Sequence, residues 1–107
     1  MQVVQEKGTS MPTYVTLYNW TEQGIKNVKN VPERIKASIK ATEAAGGKVL
    51  GVYVTMGEYD LVAVSEWPDD QTGSAAALAQ ASQGFVRMKT LKAFTPAEFA
   101  AIVKKMP

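Results

Sequence analysis

A chain of 107 residues that is 46% apolar and carries a net charge of +2 is long enough for one domain with its own core and too apolar for a disordered segment. The absence of both cysteine and histidine excludes disulfides, thiolate or imidazole ligation of metals and haem, and Ser-His-Asp or Cys-His catalysis. The basic residues are scattered, with only Lys104 and Lys105 adjacent, so the concentrated basic face of a nucleic-acid binder is missing.

Residues 1–10 are polar, lack the apolar stretch of a signal peptide and read as a flexible leader to a domain spanning residues 11–107. No apolar run approaches the ~20 residues of a membrane span. The expected compartment is therefore the cytoplasm, with no membrane partner. Residues 13–20 (TYVTLYNW) alternate and are rich in aromatic and β-branched types, the pattern of a strand. Thr21 can cap a short helical turn. A helix is expected over residues 31–45, with Asn30 as cap, Pro32 in the first turn and Gly46-Gly47 as the stop. Two strands follow, residues 48–56 and 59–67, and Gly57-Glu58 between them suits a two-residue type II′ turn. Pro68-Asp69-Asp70 ends the second strand and caps a helix running to about residue 82. That helix is alanine-rich and should pack closely on a sheet. Residues 85–94 form a fourth strand, and Thr95-Pro96-Ala97-Glu98 matches a capping box ahead of a last helix with one apolar stripe. The order β-α-β-β-α-β plus a helix predicts an α+β, ferredoxin-like fold, a four-stranded antiparallel sheet with two helices on one face.

The hairpin turn fixes an expected register. Val54 would oppose Leu61, Val52 Ala63 and Leu50 Ser65 on the helix side. Thr55 with Asp60, Tyr53 with Val62, Gly51 with Val64 and Val49 with Glu66 would occupy the other side. The first strand is expected to add Thr16, Tyr18 and Trp20 to that outer face, and the fourth to add Arg87, Lys89 and Leu91. Such a face is too apolar to stay in water, and a second copy of the chain is its simplest cover. The same side chains have a plainer use. Tyrosine and tryptophan on strands mostly pack, and Asp60 and Glu66 can pair with Arg87 or Lys89 across the sheet.

Tyr18-Asn19-Trp20-Thr21-Glu22-Gln23-Gly24, Pro32-Glu33-Arg34, Gly57-Glu58-Tyr59-Asp60 and Thr90-Leu91-Lys92-Ala93-Phe94-Thr95 together resemble the GYD domain family, over residues 11 to about 103. The resemblance implies the fold of the dimeric α+β barrel superfamily and a homodimer. That superfamily holds cofactor-free oxygenases and isomerases, haem-degrading enzymes and ligand-sensing domains, and a shared fold does not pass on a function. The motif also has a structural reading, with Gly57 making the turn and Asp60 accepting backbone hydrogen bonds.

The expected function is a homodimer binding a small organic ligand in a pocket at the sheet face, lined by Tyr18, Trp20, Tyr53, Tyr59, Asp60, Glu66 and Arg87. One alternative is a cofactor-independent isomerase or oxygenase, with Asp60 or Glu66 as base and Arg87 stabilising negative charge. Another is a structural oligomerisation module, with higher oligomers built from the dimer. No metal-ligand cluster and no redox-cofactor motif is visible, and Gly46-Gly47 is too short for a phosphate loop. The expected cofactor and metal complement is none.

Overall fold

The computed structural model describes residues 11–107, and the expected leader over residues 1–10 lies outside them. Strand β1 (Thr13–Trp20) leads into a short helix α1 (Glu22–Lys26), a 3-10 turn (Val28–Asn30) and α2 (Val31–Ala44). Strands β2 (Lys48–Val54) and β3 (Leu61–Glu66) form the hairpin, α3 (Asp70–Ala81) and β4 (Val86–Ala93) follow, and α4 (Pro96–Val103) comes last. The strands pair antiparallel in the order β2-β3-β1-β4, the ferredoxin-like arrangement.

Local chemistry sets the boundaries. The Thr21 hydroxyl accepts from the Gly24 amide to start α1, the Asp69 carboxylate accepts from the Thr72 amide to start α3, and Thr95 with Glu98 makes a reciprocal capping box for α4. Asn30 makes no side-chain cap, because the 3-10 turn runs straight into α2. Gly46 ends the α2 region at φ +91, a conformation that disfavours any side chain.

The hairpin differs from a two-residue turn. The Thr55 amide donates to the Asp60 carbonyl at 2.9 Å and its hydroxyl to the Tyr59 carbonyl at 2.6 Å, closing a wider loop over residues 56–59. An even loop keeps strand parity, so Val54↔Leu61, Tyr53↔Val62, Val52↔Ala63 and Gly51↔Val64 pair as expected. Beyond them a bulge at Leu50 shifts the register. Val49 opposes Ser65 and Lys48 opposes Glu66, and the expected Leu50–Ser65 and Val49–Glu66 pairs are not formed.

The larger correction concerns β1. Tyr14, Thr16 and Tyr18 pair with Ser65, Ala63 and Leu61, so they share the helix side with those residues, and Trp20 joins them opposite Val86. Tyr14, Thr16 and Tyr18 are all buried. Thr16, Tyr18 and Trp20 therefore do not lie on the outer face; Val15 and Leu17 do, beside Val64 and Val62. Hairpin register constrains only β2 against β3. The long crossover from β1 transmits no register, and one residue of slip inverts a strand.

Candidate functional site

Between the inner face of the sheet and helices α2 and α3 lies a cleft of about 850 Å³, within the range of small-molecule sites. Its floor is Tyr14, Thr16, Tyr18 and Trp20 of β1 with Leu61 and Ala63 of β3. The cause is legible in α3. The residues that α3 turns to the cleft, Gly73, Ala76, Ala77 and Gln80, recur at helical spacing but carry little bulk. Trp67, only 8% exposed, stands under the first turn of α3, where a Cβ on Gly73 would meet its ring at 3.2 Å. Alanine methyls are too small to fill the space beside so large a ring, so the cleft stays open although α3 touches β4.

One end of the cleft is polar. The Tyr14 hydroxyl donates to Asp70 Oδ1, and Lys92 Nζ donates to the two Asp70 oxygens at 3.1 and 3.2 Å. Burial and then the bond to Asp70 push the Tyr14 hydroxyl up to about 12. The same bond, followed by Lys92, holds the Asp70 carboxyl below the ordinary carboxylate range. These contacts tie the start of α3 to β1 and β4. In the middle, the Tyr18 hydroxyl donates to Gln80 Oε1 at 3.3 Å, and burial raises its pKa. At the far end, the Arg34 guanidinium lies 3.6 Å over the Phe85 ring, beside Trp20 and Val31.

A second polar centre closes the sheet outside the cleft. Asp60 Oδ2 accepts from the Trp20 amide at 2.9 Å and from Asn19 Nδ2 at 3.4 Å, while the Asp60 amide donates to the Tyr18 carbonyl at 2.8 Å. Asn19 Nδ2 also donates to the Glu58 carbonyl at 2.8 Å. The carboxylate thus stitches the hairpin loop to the end of β1. Next to it, Thr21 clamps the start of β4. Its amide donates to the Phe85 carbonyl at 3.1 Å and its hydroxyl to the Gly84 carbonyl at 2.6 Å.

These contacts gather three of the segments singled out in the sequence: the Tyr18–Gly24 stretch, the Gly57–Asp60 hairpin and Arg34. A family model described as the GYD domain matches residues 14–103. The chain belongs to the GYD domain family. A curated relative, "Glutamine synthetase and cystathionine beta-lyase binding protein" from Thermus thermophilus, is 37% identical over 95 residues, covering 88% of this chain and all of the relative. A crystal structure of a Thermus thermophilus protein superposes with a TM-score of 0.51 at 25% identity, covering 79% of this chain and 95% of the other.

In this GYD domain the expected site residues are divided among three places. Tyr18 and Trp20 line the cleft. Tyr53, Glu66 and Arg87 sit on the outer face, in register with Val62, Thr13 and Asn19. Tyr59 and Asp60 belong to the hairpin end, where Lys89 Nζ lies 5.7 Å from the Tyr59 ring. No single pocket unites Tyr18 and Trp20 with Glu66 and Arg87, because alternate faces of a strand point apart. The cleft residues that the sequence did not assign to a site are Tyr14, Arg34, Trp67, Asp70, Gln80 and Lys92. Asp70 was legible only as part of a helix start, and Tyr14 only as a strand aromatic.

Proposed function

We propose that this GYD domain is a cytoplasmic homodimer that holds a small organic molecule in the cleft between its sheet and helices α2 and α3. The observation that carries the reading is the cleft itself. At about 850 Å³ it is far larger than the voids a close-packed core leaves empty. Filled with water, its aromatic and aliphatic walls forgo their burial. An apolar occupant restores that burial. The homodimer is supported by the outer face, where Val15, Leu17, Val62 and Val64 form adjacent apolar rows and Tyr53 is 64% exposed. A second sheet laid on this face would cover them.

Native mass spectrometry of the protein from its own host tests both parts. A dimer carrying a reproducible added mass is the expected result. An empty dimer removes the ligand reading, and a monomer removes the pairing of outer faces.

A second reading, docking to other proteins, is favoured by α4. Phe99, Ile102 and Val103 are 59%, 38% and 46% exposed, and the Thermus relative bears the name of an enzyme-binding protein. An apolar helical stripe of this kind suits a groove on a partner.

A further inference from the structure

We propose that the cleft selects an organic monoanion, an aromatic or alicyclic body carrying one carboxylate or sulfonate, and that Arg34 holds the anionic group. The inference rests on the reading of the cleft as a ligand site and adds its charge preference.

Three charged side chains line the cleft: Arg34, Asp70 and Lys92. Asp70 and Lys92 neutralise each other at 3.1 Å. That leaves Arg34, and among the described residues no carboxylate lies within 4 Å of its guanidinium. The neighbouring Glu33 is turned to Lys36, at 3.7 Å. Phe85 takes the flat face of the guanidinium at 3.6 Å, which orients the group, and among the described residues no hydrogen bond engages its in-plane N–H donors. That fork matches the two oxygens of a carboxylate, or two of a sulfonate. Trp20 and Val31 stand at the same end and supply apolar wall for the body of the ligand.

The other end sets the limit of one charge. Trp20 pairs with Val86 and Tyr14 with Lys92, so the two ends of the inner face are six residues apart along β4, about 20 Å. Asp70 stands at that far end with both oxygens already taken by Tyr14 and Lys92. A second anionic group there would meet the Asp70 carboxylate, whose charge already balances that of Lys92. The tyrosine, alanine and methionine floor between the ends has no further cation.

A matched pair of fluorescent probes separates charge from shape. 1-Anilinonaphthalene-8-sulfonate and N-phenyl-1-naphthylamine share one arylamine skeleton, with and without the anion. Each is titrated into the intact protein, into Arg34→Gln and Arg34→Lys, and into Ala63→Phe, which fills the floor of the cleft. Far-UV circular dichroism and the urea midpoint check that each variant is folded. The expected result is tighter binding of the sulfonate to the native protein and a loss of about tenfold in Arg34→Gln, the size of one charged hydrogen-bonding contact. Binding of the neutral probe should change less than twofold, Arg34→Lys should retain part of the sulfonate affinity, and Ala63→Phe should weaken both. An equal loss of both probes in Arg34→Gln makes Arg34 a packing residue and overturns the proposal, as does no loss of either. Unchanged binding to Ala63→Phe places the probes elsewhere and overturns it too. If neither probe binds the native protein, the ligand reading of the cleft fails and takes this inference with it.

Discussion

Replacing Gly24 by alanine sets helix propensity against sterics at a single carbon. Gly24 is buried inside α1, and alanine there would gain about 1 kcal/mol of intrinsic helix preference. The added Cβ, however, would sit 2.0 Å from the Phe85 carbonyl oxygen and 3.0 Å from its carbon. Both are backbone atoms, so no side-chain rotation relieves the contact. The helix must move away by more than an ångström. That movement breaks the Thr21 amide bond to Phe85 at 3.1 Å and strains the Thr21 hydroxyl bond to Gly84 at 2.6 Å. Overpacking costs about 1–3 kcal/mol and each lost hydrogen bond about 1 kcal/mol. After subtraction of the propensity gain, a net destabilisation of about 1–3 kcal/mol is expected. Urea unfolding followed by far-UV circular dichroism measures it as a lower midpoint at unchanged slope. Gly57→Ala is the comparison. Its φ is +109 but nothing lies within 4 Å of the new methyl, so only backbone strain of about 1–2 kcal/mol applies. Because Phe85 seats Arg34, Gly24→Ala should also weaken binding of the anionic probe. A Gly24→Ala protein as stable as the native one would refute the placement of α1 against β4.

Trp67→Ala removes the ring that stands under α3 and should cost about 3–5 kcal/mol in the same urea assay; a loss below about 1 kcal/mol would mean that Trp67 does not prop the helix. Leu17→Glu places a charge among the outer apolar rows and should convert the proposed dimer to monomer in sedimentation velocity while leaving probe binding by the cleft intact; an unchanged dimer would move the interface elsewhere. Tyr14 gives an alkaline signature. Its folded pKa of about 12 exceeds the ~10 of an unfolded tyrosine, so its contribution is whole below about pH 10 and is lost as pH rises toward the folded value. The difference in urea midpoint between native protein and Tyr14→Phe should therefore be constant below about pH 10 and shrink above it, and a flat difference up to the folded pKa would contradict the part-buried Tyr14–Asp70 contact.

Local signals were legible in the sequence because neighbours a few residues apart create them. Thr21, Asp69 and the Thr95–Glu98 box mark helix starts, Gly46 marks a stop, and the hairpin's parity follows from an even loop. The face of β1 was not legible. Val15 and Leu17 make as good an apolar row as Tyr14, Thr16 and Tyr18, and only pairing with β3 decides between them. Leu50 reads as an alternating strand residue, yet the bulge removes it from the ladder and leaves it 48% exposed. The cleft's polar end joins Tyr14 to Asp70 across 56 positions and Asp70 to Lys92 across 22. No spacing rule spans such distances. Asp60 was nearer to hand, since its role as a backbone acceptor follows from its place beside a turn.

Among the described residues no large side chain is fully buried, so under the proposed ligand reading the interior of this protein is shared between the chain and its ligand. Binding to the folded state alone adds about 2.7 kcal/mol when the ligand stands a hundredfold above its Kd, a substantial part of a domain's roughly 5–15 kcal/mol. The unfolded fraction then falls about a hundredfold. Cellular proteases that cleave the opened chain act on that fraction. At a constant rate of synthesis, the amount of the protein in a cell would rise with the supply of its ligand and decay when the supply stops, with no transcriptional control needed to make its abundance a gauge.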